Sequence, residues 1–109
     1  MTVDDVRAMA LAMPDTTERP SYGTPSFRVK DKLFARVRDD DEVIVQVDLA
    51  FRDELVLGSP DIFHVTPHYQ EHPWVIVRLA AIDRGRMGEM LAEAYRLVLP
   101  RPRARKRST

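Results

Sequence analysis

Cysteine is absent from all 109 residues, which removes disulfides, thiolate metal centres and cysteine nucleophiles together. Glycine is scarce, with four residues, and no Gly-rich phosphate loop is present. No apolar run approaches the roughly 20 residues that span a bilayer. The first residues, Met1-Thr2-Val3-Asp4-Asp5, carry neither the basic nor the apolar region of a secretory signal. Ser21, Ser26 and Ser59 stand in loop contexts, and none lies in a nucleophile-elbow pattern. These absences lead to the expectation of a cytoplasmic protein with no membrane role and no cofactor. They leave no legible catalytic residue, so binding is the function class to pursue.

Net charge is missing too, since 17 Lys/Arg balance 17 Asp/Glu, but the zero hides a split. Residues 1–100 hold 12 basic side chains against all 17 acids, while residues 101–109 (RPRARKRST) hold five basic side chains and no acid. An acidic body is repelled by nucleic acid, whereas an Arg-rich end is attracted to it. At 44% hydrophobic and 31% charged, the chain fits one globular domain, expected over residues 1–99, with a basic and disordered tail over 100–109.

Hydrophobic spacing predicts three helices and about five strands. Val3, Val6, Ala10 and Met13 share one face of a first helix with Thr2 as N-cap. Pro14 stops it, and Asp15–Pro25, with Pro20, Gly23 and Pro25, reads as a loop. From Ser26 the period changes to two. Three strands form a meander, turning near Lys30-Asp31 and again at Asp39–Glu42. A second helix follows between Asp48 and Gly58, with Phe51 and Leu55 on one side. Short strands at Ile62–Val65 and Trp74–Leu79 lead to a last helix from Asp83 to about Leu99. Its buried stripe is Met87, Met90, Leu91, Ala94, Leu97 and Val98. The order α-β-β-β-α-β-β-α defines an α+β fold, an antiparallel sheet with helices packed on one face.

Strict alternation places Phe27, Val29, Leu33, Ala35, Val37, Val43, Val45, Val47, Val75, Val77 and Leu79 on the covered face. The opposite face then carries Arg28, Lys32, Phe34, Arg36, Arg38, Ile44, Gln46, Trp74, Ile76 and Arg78. Basic groups interleaved with aromatics on an open sheet attract phosphates and stack bases. The same face also suits a homodimer interface or a small-ligand site, with Phe34, Tyr69 and Trp74 as its apolar contacts.

Met13-Pro14, Glu18, Tyr22-Gly23, Pro25-Ser26-Phe27, Val29, Lys32, Phe34-Ala35, Pro67, Tyr69 and Trp74-Val75 together resemble the MmcQ/YjbR family. The resemblance spans roughly residues 2–99. It implies a small, mostly bacterial protein with a double-split β-α-β fold similar to that of the bacterial frataxin CyaY. The family is commonly labelled DNA-binding and supplies no established catalytic residue. The chain departs from the pattern at Asp31, where a glycine is common, and at Pro73, just before the tryptophan.

Two constellations invite metal chemistry and fall short of it. His68-Tyr69-Gln70-Glu71-His72 matches H-x-x-E-H, but Pro67 and Pro73 confine any helix there to about five residues. Asp39-Asp40-Asp41-Glu42 lacks the spaced ligands and glycine of a calcium loop and reads as a solvated hairpin tip. No metal ligand is assigned. The expected function is therefore weak, salt-dependent DNA binding without sequence preference. Arg28, Lys32, Phe34, Arg36, Arg38, Trp74 and Arg78 on the sheet face would provide contact, and Arg101, Arg103, Arg105, Lys106 and Arg107 in the tail electrostatic capture. The competing expectation is a protein–protein or small-ligand module with no nucleic-acid role.

Overall fold

Thr2 opens the first helix, α1 (Val3–Leu11), through a reciprocal capping box: its hydroxyl accepts from the Asp5 N–H at 3.2 Å, and its own N–H donates to the Asp5 carboxylate at 2.9 Å. A computed structural model describes residues 1–99; the basic segment 100–109, with Arg101, Arg103, Arg105, Lys106 and Arg107, lies outside the described residues. After α1 come β1 (Thr16–Ser21), β2 (Thr24–Val29), β3 (Lys32–Asp39), β4 (Glu42–Gln46) and α2 (Leu49–Gly58). Then follow β5 (Phe63–His64), a 3-10 turn at Pro67–Tyr69, β6 (Trp74–Arg78) and α3 (Arg84–Val98). Asp48 caps α2, accepting from the Ala50 N–H at 2.9 Å, and Asp83 caps α3, accepting from the Arg86 N–H at 2.7 Å.

The strands form one antiparallel sheet in the order β1-β2-β3-β4-β6-β5. The fold is α+β, as the periodicity predicts, with one strand more. Asp15–Pro25 is not a loop throughout: Thr16–Ser21 pairs along its whole length with Thr24–Val29. Its four central side chains are all exposed, so the strand has no apolar alternation to betray it. Pro20 is tolerated because β1 is an edge strand, bonded on one side alone.

The core lies between the sheet and the helices. Phe27, Val29, Ala35, Val37, Val43, Val45, Val75 and Val77 from the strands meet Val6 and Ala10 of α1, Leu55 of α2, and Met87, Met90, Leu91, Ala94 and Val98 of α3. Burying each of the larger side chains contributes about 1.5–3 kcal/mol. Two helix assignments shift: Leu97 is 42% exposed rather than part of the α3 stripe, and α2 buries Arg52 beside Leu55 while Phe51 stays 39% exposed. No described helix is long and apolar enough to cross a membrane.

A β-bulge in β3 overturns part of the predicted face assignment. Phe27 opposes Ala35, yet the next residue, Arg28, opposes Leu33, so Phe34 is the extra residue. The bulge inverts the parity that strict alternation assumes. Phe34 turns into the helix-side core, fully buried and edge-on to Tyr95 of α3 at 5.8 Å, and Leu33 turns to the opposite face. Lys32 opposes the core residue Val29 and so leaves the outer face as well. A second register shift, between Val37 and Asp39, makes Arg38 the unpaired residue there.

Candidate functional site

Directly opposed residues share a face, so the register lays out the side of the sheet away from the helices. One row crosses it from β2 to β5: Ser26, Arg36, Ile44, Ile76 and His64. Gln46 with Trp74, Glu42 with Arg78, and Arg28 with Leu33 stand beside this row. Ile44 is 2% exposed and Ile76 fully buried, although neither joins the helix-side core. The β5–β6 connection turns back over this side, where the Tyr69 hydroxyl accepts from Arg36 Nη2 at 2.9 Å. Both isoleucines are thus covered within this chain.

Where that connection stops short, a cleft of about 470 Å³ opens, lined by Tyr22, Leu33, Arg36, Ile44, His68, Tyr69 and Trp74. Tyr22 reaches it from the β1–β2 turn. Both residues of that turn have positive φ, 54° at Tyr22 and 83° at Gly23, which identifies a type I′ hairpin. The geometry leaves the Tyr22 ring 94% exposed at the hairpin tip. Arg36 lies in the middle of the cleft. Its Nη1 donates to Thr24 Oγ1 at 3.3 Å, and its guanidinium carbon is 5.6 Å from the Tyr22 ring centre, a cation–π arrangement. On the other wall the His68 and Tyr69 rings meet edge to face at 4.8 Å.

The wall carrying His68 and Tyr69 has little regular structure before Trp74 opens β6, and one side chain bonds along it. Arg52 of α2, 7% exposed, donates from Nη1 to the carbonyls of Tyr69 (3.1 Å), His72 (2.8 Å) and Trp74 (3.4 Å), and from Nη2 to that of Gln70 (2.7 Å). The H-x-x-E-H run lies on this segment as a 3-10 turn and irregular chain, without the helix that would align its two histidines. Among the described residues no group of three or more His, Asp or Glu side chains converges on one point.

Charge is unevenly engaged on this face. Arg38 donates to Glu42 Oε1 at 2.6 Å, and the other oxygen of that carboxylate lies 2.5 Å from His64 Nε2, so the Arg38 charge is locally offset. Among the described residues, no carboxylate approaches Arg28, Arg36 or Arg78 within 4.0 Å. Arg78 donates instead to the Pro60 carbonyl at 2.8 Å.

Of the predicted face residues, the structure brings Arg36, Ile44 and Trp74 into the cleft, with Arg28 and Arg78 on the same side of the sheet. Of the predicted apolar contacts it joins Tyr69 to Trp74 and removes Phe34. Sequence reasoning missed Tyr22, His68 and Arg52 as parts of one site. Tyr22-Gly23 was the available signal, because a two-residue turn with glycine second marks a tight hairpin. Nothing local marks Arg52, whose acceptors lie 17–22 residues away.

Fold and cleft together define a class: a small open-sheet α+β domain whose face away from the helices carries an aromatic- and arginine-lined cleft. The profile of the YjbR family matches residues 11–97, and the chain belongs to that family. The uncharacterized proteins Rv2570 of Mycobacterium tuberculosis and Mb2600 of Mycobacterium bovis are each 29% identical to it over 119 aligned positions, covering 92% of this chain and 90% of theirs. The crystal structure of the Deinococcus radiodurans protein DR2400, a DUF419 domain, superposes with a TM-score of 0.78 at 27% identity, over 89% of this chain and 78% of that one.

Proposed function

We propose that this protein is a binding module for single-stranded nucleic acid and that the sheet-face cleft is its contact site. One observation carries the reading: Arg36 has no carboxylate within 4.0 Å among the described residues and contacts Tyr22 and Tyr69, with Trp74 lining the same cleft. A cation among aromatic rings suits a strand that offers both a phosphate and an unstacked base. Arg28 and Arg78 on the same face extend the positive strip along a backbone. The walls raised by the Tyr22 hairpin and the 66–73 connection favour an unpaired base over a duplex, whose bases are already stacked inside. The basic residues 101–107 add salt-sensitive, sequence-independent attraction.

The concavity of the cleft supports a second reading, a small planar anion such as a mononucleotide, bound without a longer strand. One experiment separates the two. Fluorescence anisotropy with labelled oligothymidylate and with duplex DNA is measured at several salt concentrations, for the full chain and for residues 1–100. Single-strand binding that weakens with salt, survives tail removal and is lost in Trp74→Ala supports the leading reading. Competition by a mononucleotide as effective as by the oligomer supports the second. Binding by the full chain that vanishes on tail removal, with Trp74→Ala neutral, overturns both for the cleft.

A further inference from the structure

We infer that Arg52 is the positioning residue of the cleft, a guanidinium that prepares the aromatic wall before any ligand arrives. The inference rests on the cleft being a binding site. Arg52 lies on α2 and lines no part of the cleft itself. Its side chain is 8% exposed, and the nearest carboxylate, Asp53, stands 4.0 Å from Nε. That Nε is buried without a hydrogen-bond partner, so both terminal nitrogens aim every hydrogen bond of this cation at one stretch of backbone, Tyr69 to Trp74. A buried cation whose one acidic neighbour is the exposed Asp53 at 4.0 Å, and whose hydrogen bonds all go to four carbonyls of one connection, is an expensive way merely to fill space. It is an effective way to fix an irregular segment whose shape matters.

The geometry bears on the choice of residue. Nη1, with two hydrogens, serves three carbonyls and so shares at least one of them, while the coplanar Nη2 reaches the Gln70 carbonyl, a second point that the single nitrogen of lysine cannot hold at the same time. The segment they fix presents His68, Tyr69 and Trp74 on its cleft side. Tyr69 then meets Arg36 through its hydroxyl, so Arg52 also sets the position of the cation in the cleft at one remove. The Pro73 carbonyl, which accepts from the Val47 N–H at 2.9 Å, anchors the end of the same segment to the sheet.

Trp74 is the sole tryptophan of the chain, so its fluorescence reports on this wall alone. The test compares wild type, Arg52→Met and Arg52→Lys by acrylamide quenching of Trp74, by thermal unfolding, and by affinity for oligothymidylate. Expected is a folded Arg52→Met protein with more accessible Trp74 and affinity lower by about tenfold, the order for two aromatic side chains that must be ordered on binding rather than beforehand. Arg52→Lys should fall between the two. A role confined to stability would lower the unfolding temperature yet leave quenching and the affinity of the folded protein at wild-type values, which would overturn the inference. If Arg52→Met does not fold, Arg52→Lys decides by the same criteria. If wild type binds no oligothymidylate, the proposed function fails, and quenching alone judges Arg52.

Discussion

Tyr22 provides the sharpest test because one substitution should move stability and binding in opposite directions. Its φ of 54° places a bulky L-residue in the left-handed region, at the first position of a type I′ turn where asparagine is favoured. Such a conformation costs roughly 1–2 kcal/mol for an ordinary side chain. Tyr22 gains little in return within the folded chain. Its ring is 94% exposed, and its one cation–π contact, with Arg36 at 5.6 Å, is worth about 0.5–1 kcal/mol at an exposed site. Tyr22→Asn should therefore stabilise the fold by about 0.5–1 kcal/mol, a rise in unfolding temperature of a few degrees for a domain of this size. Binding should suffer. If the ring stacks on a base, its loss costs about 1–3 kcal/mol, or roughly 5- to 150-fold in affinity. Calorimetry or thermal unfolding reads the first effect, and anisotropy with oligothymidylate the second. A variant that is more stable and binds equally well would remove Tyr22 from the site. A less stable variant would refute the strain argument itself.

Phe34→Ala should destabilise the protein by about 3–5 kcal/mol in urea unfolding, since the residue is fully buried against Tyr95; a loss below ~1 kcal/mol would contradict the bulge that turns it inward. Arg36→Gln should lower the slope of log affinity against log salt by about 0.7, the amount for one phosphate contact on a single strand. An unchanged slope would take the phosphate away from Arg36. Hydrogen bonds from the Thr2 N–H, and then the Thr2 hydroxyl contact, hold the Asp5 carboxyl below its ordinary value of 3.8. A depressed folded value means that the stabilisation is complete above pH 3.8 and is lost as the pH falls through the folded value. Asp5→Asn should thus be less stable than wild type near neutrality, with the gap closing in acid; a gap constant with pH would exclude the carboxylate's charge as the cause.

Elements with strong periodicity were legible: the cap at Thr2, the stripe of α3 apart from Leu97, and the valine-rich strands β4 and β6. What escaped was parity and pairing. A bulge adds one residue without changing composition, so Leu33 and Phe34, both apolar, exchange faces with no trace in the hydrophobic pattern. Strand β1 escaped because an edge strand that is polar on both sides and contains Pro20 has the composition of a loop. The site was half legible. Arg36 and Trp74 follow from alternation, but the cleft exists because a connection folds over the sheet, and Arg52 holds it through backbone carbonyls that carry no sequence identity.

The charge split of the sequence now has a second, spatial form inside the body. Asp4, Asp53, Glu54 and Glu89 are exposed on helices, and Asp39–Asp41 lie at the β3–β4 turn. Glu42, on the sheet face opposite Arg78, is engaged by Arg38 and His64, whereas Arg28, Arg36 and Arg78 have no described carboxylate within 4.0 Å. Charges separated in this way steer an anion toward one side even when the total is negative, because the local field and not the sum guides approach within a Debye length of about 8–10 Å. The salt slope of residues 1–100 should then count the arginines of one face, near 2 for three phosphate contacts at about 0.7 each. A slope near zero with binding intact would mean that the cleft holds its ligand by aromatic and apolar contact, and that the arginines serve the sheet rather than the ligand.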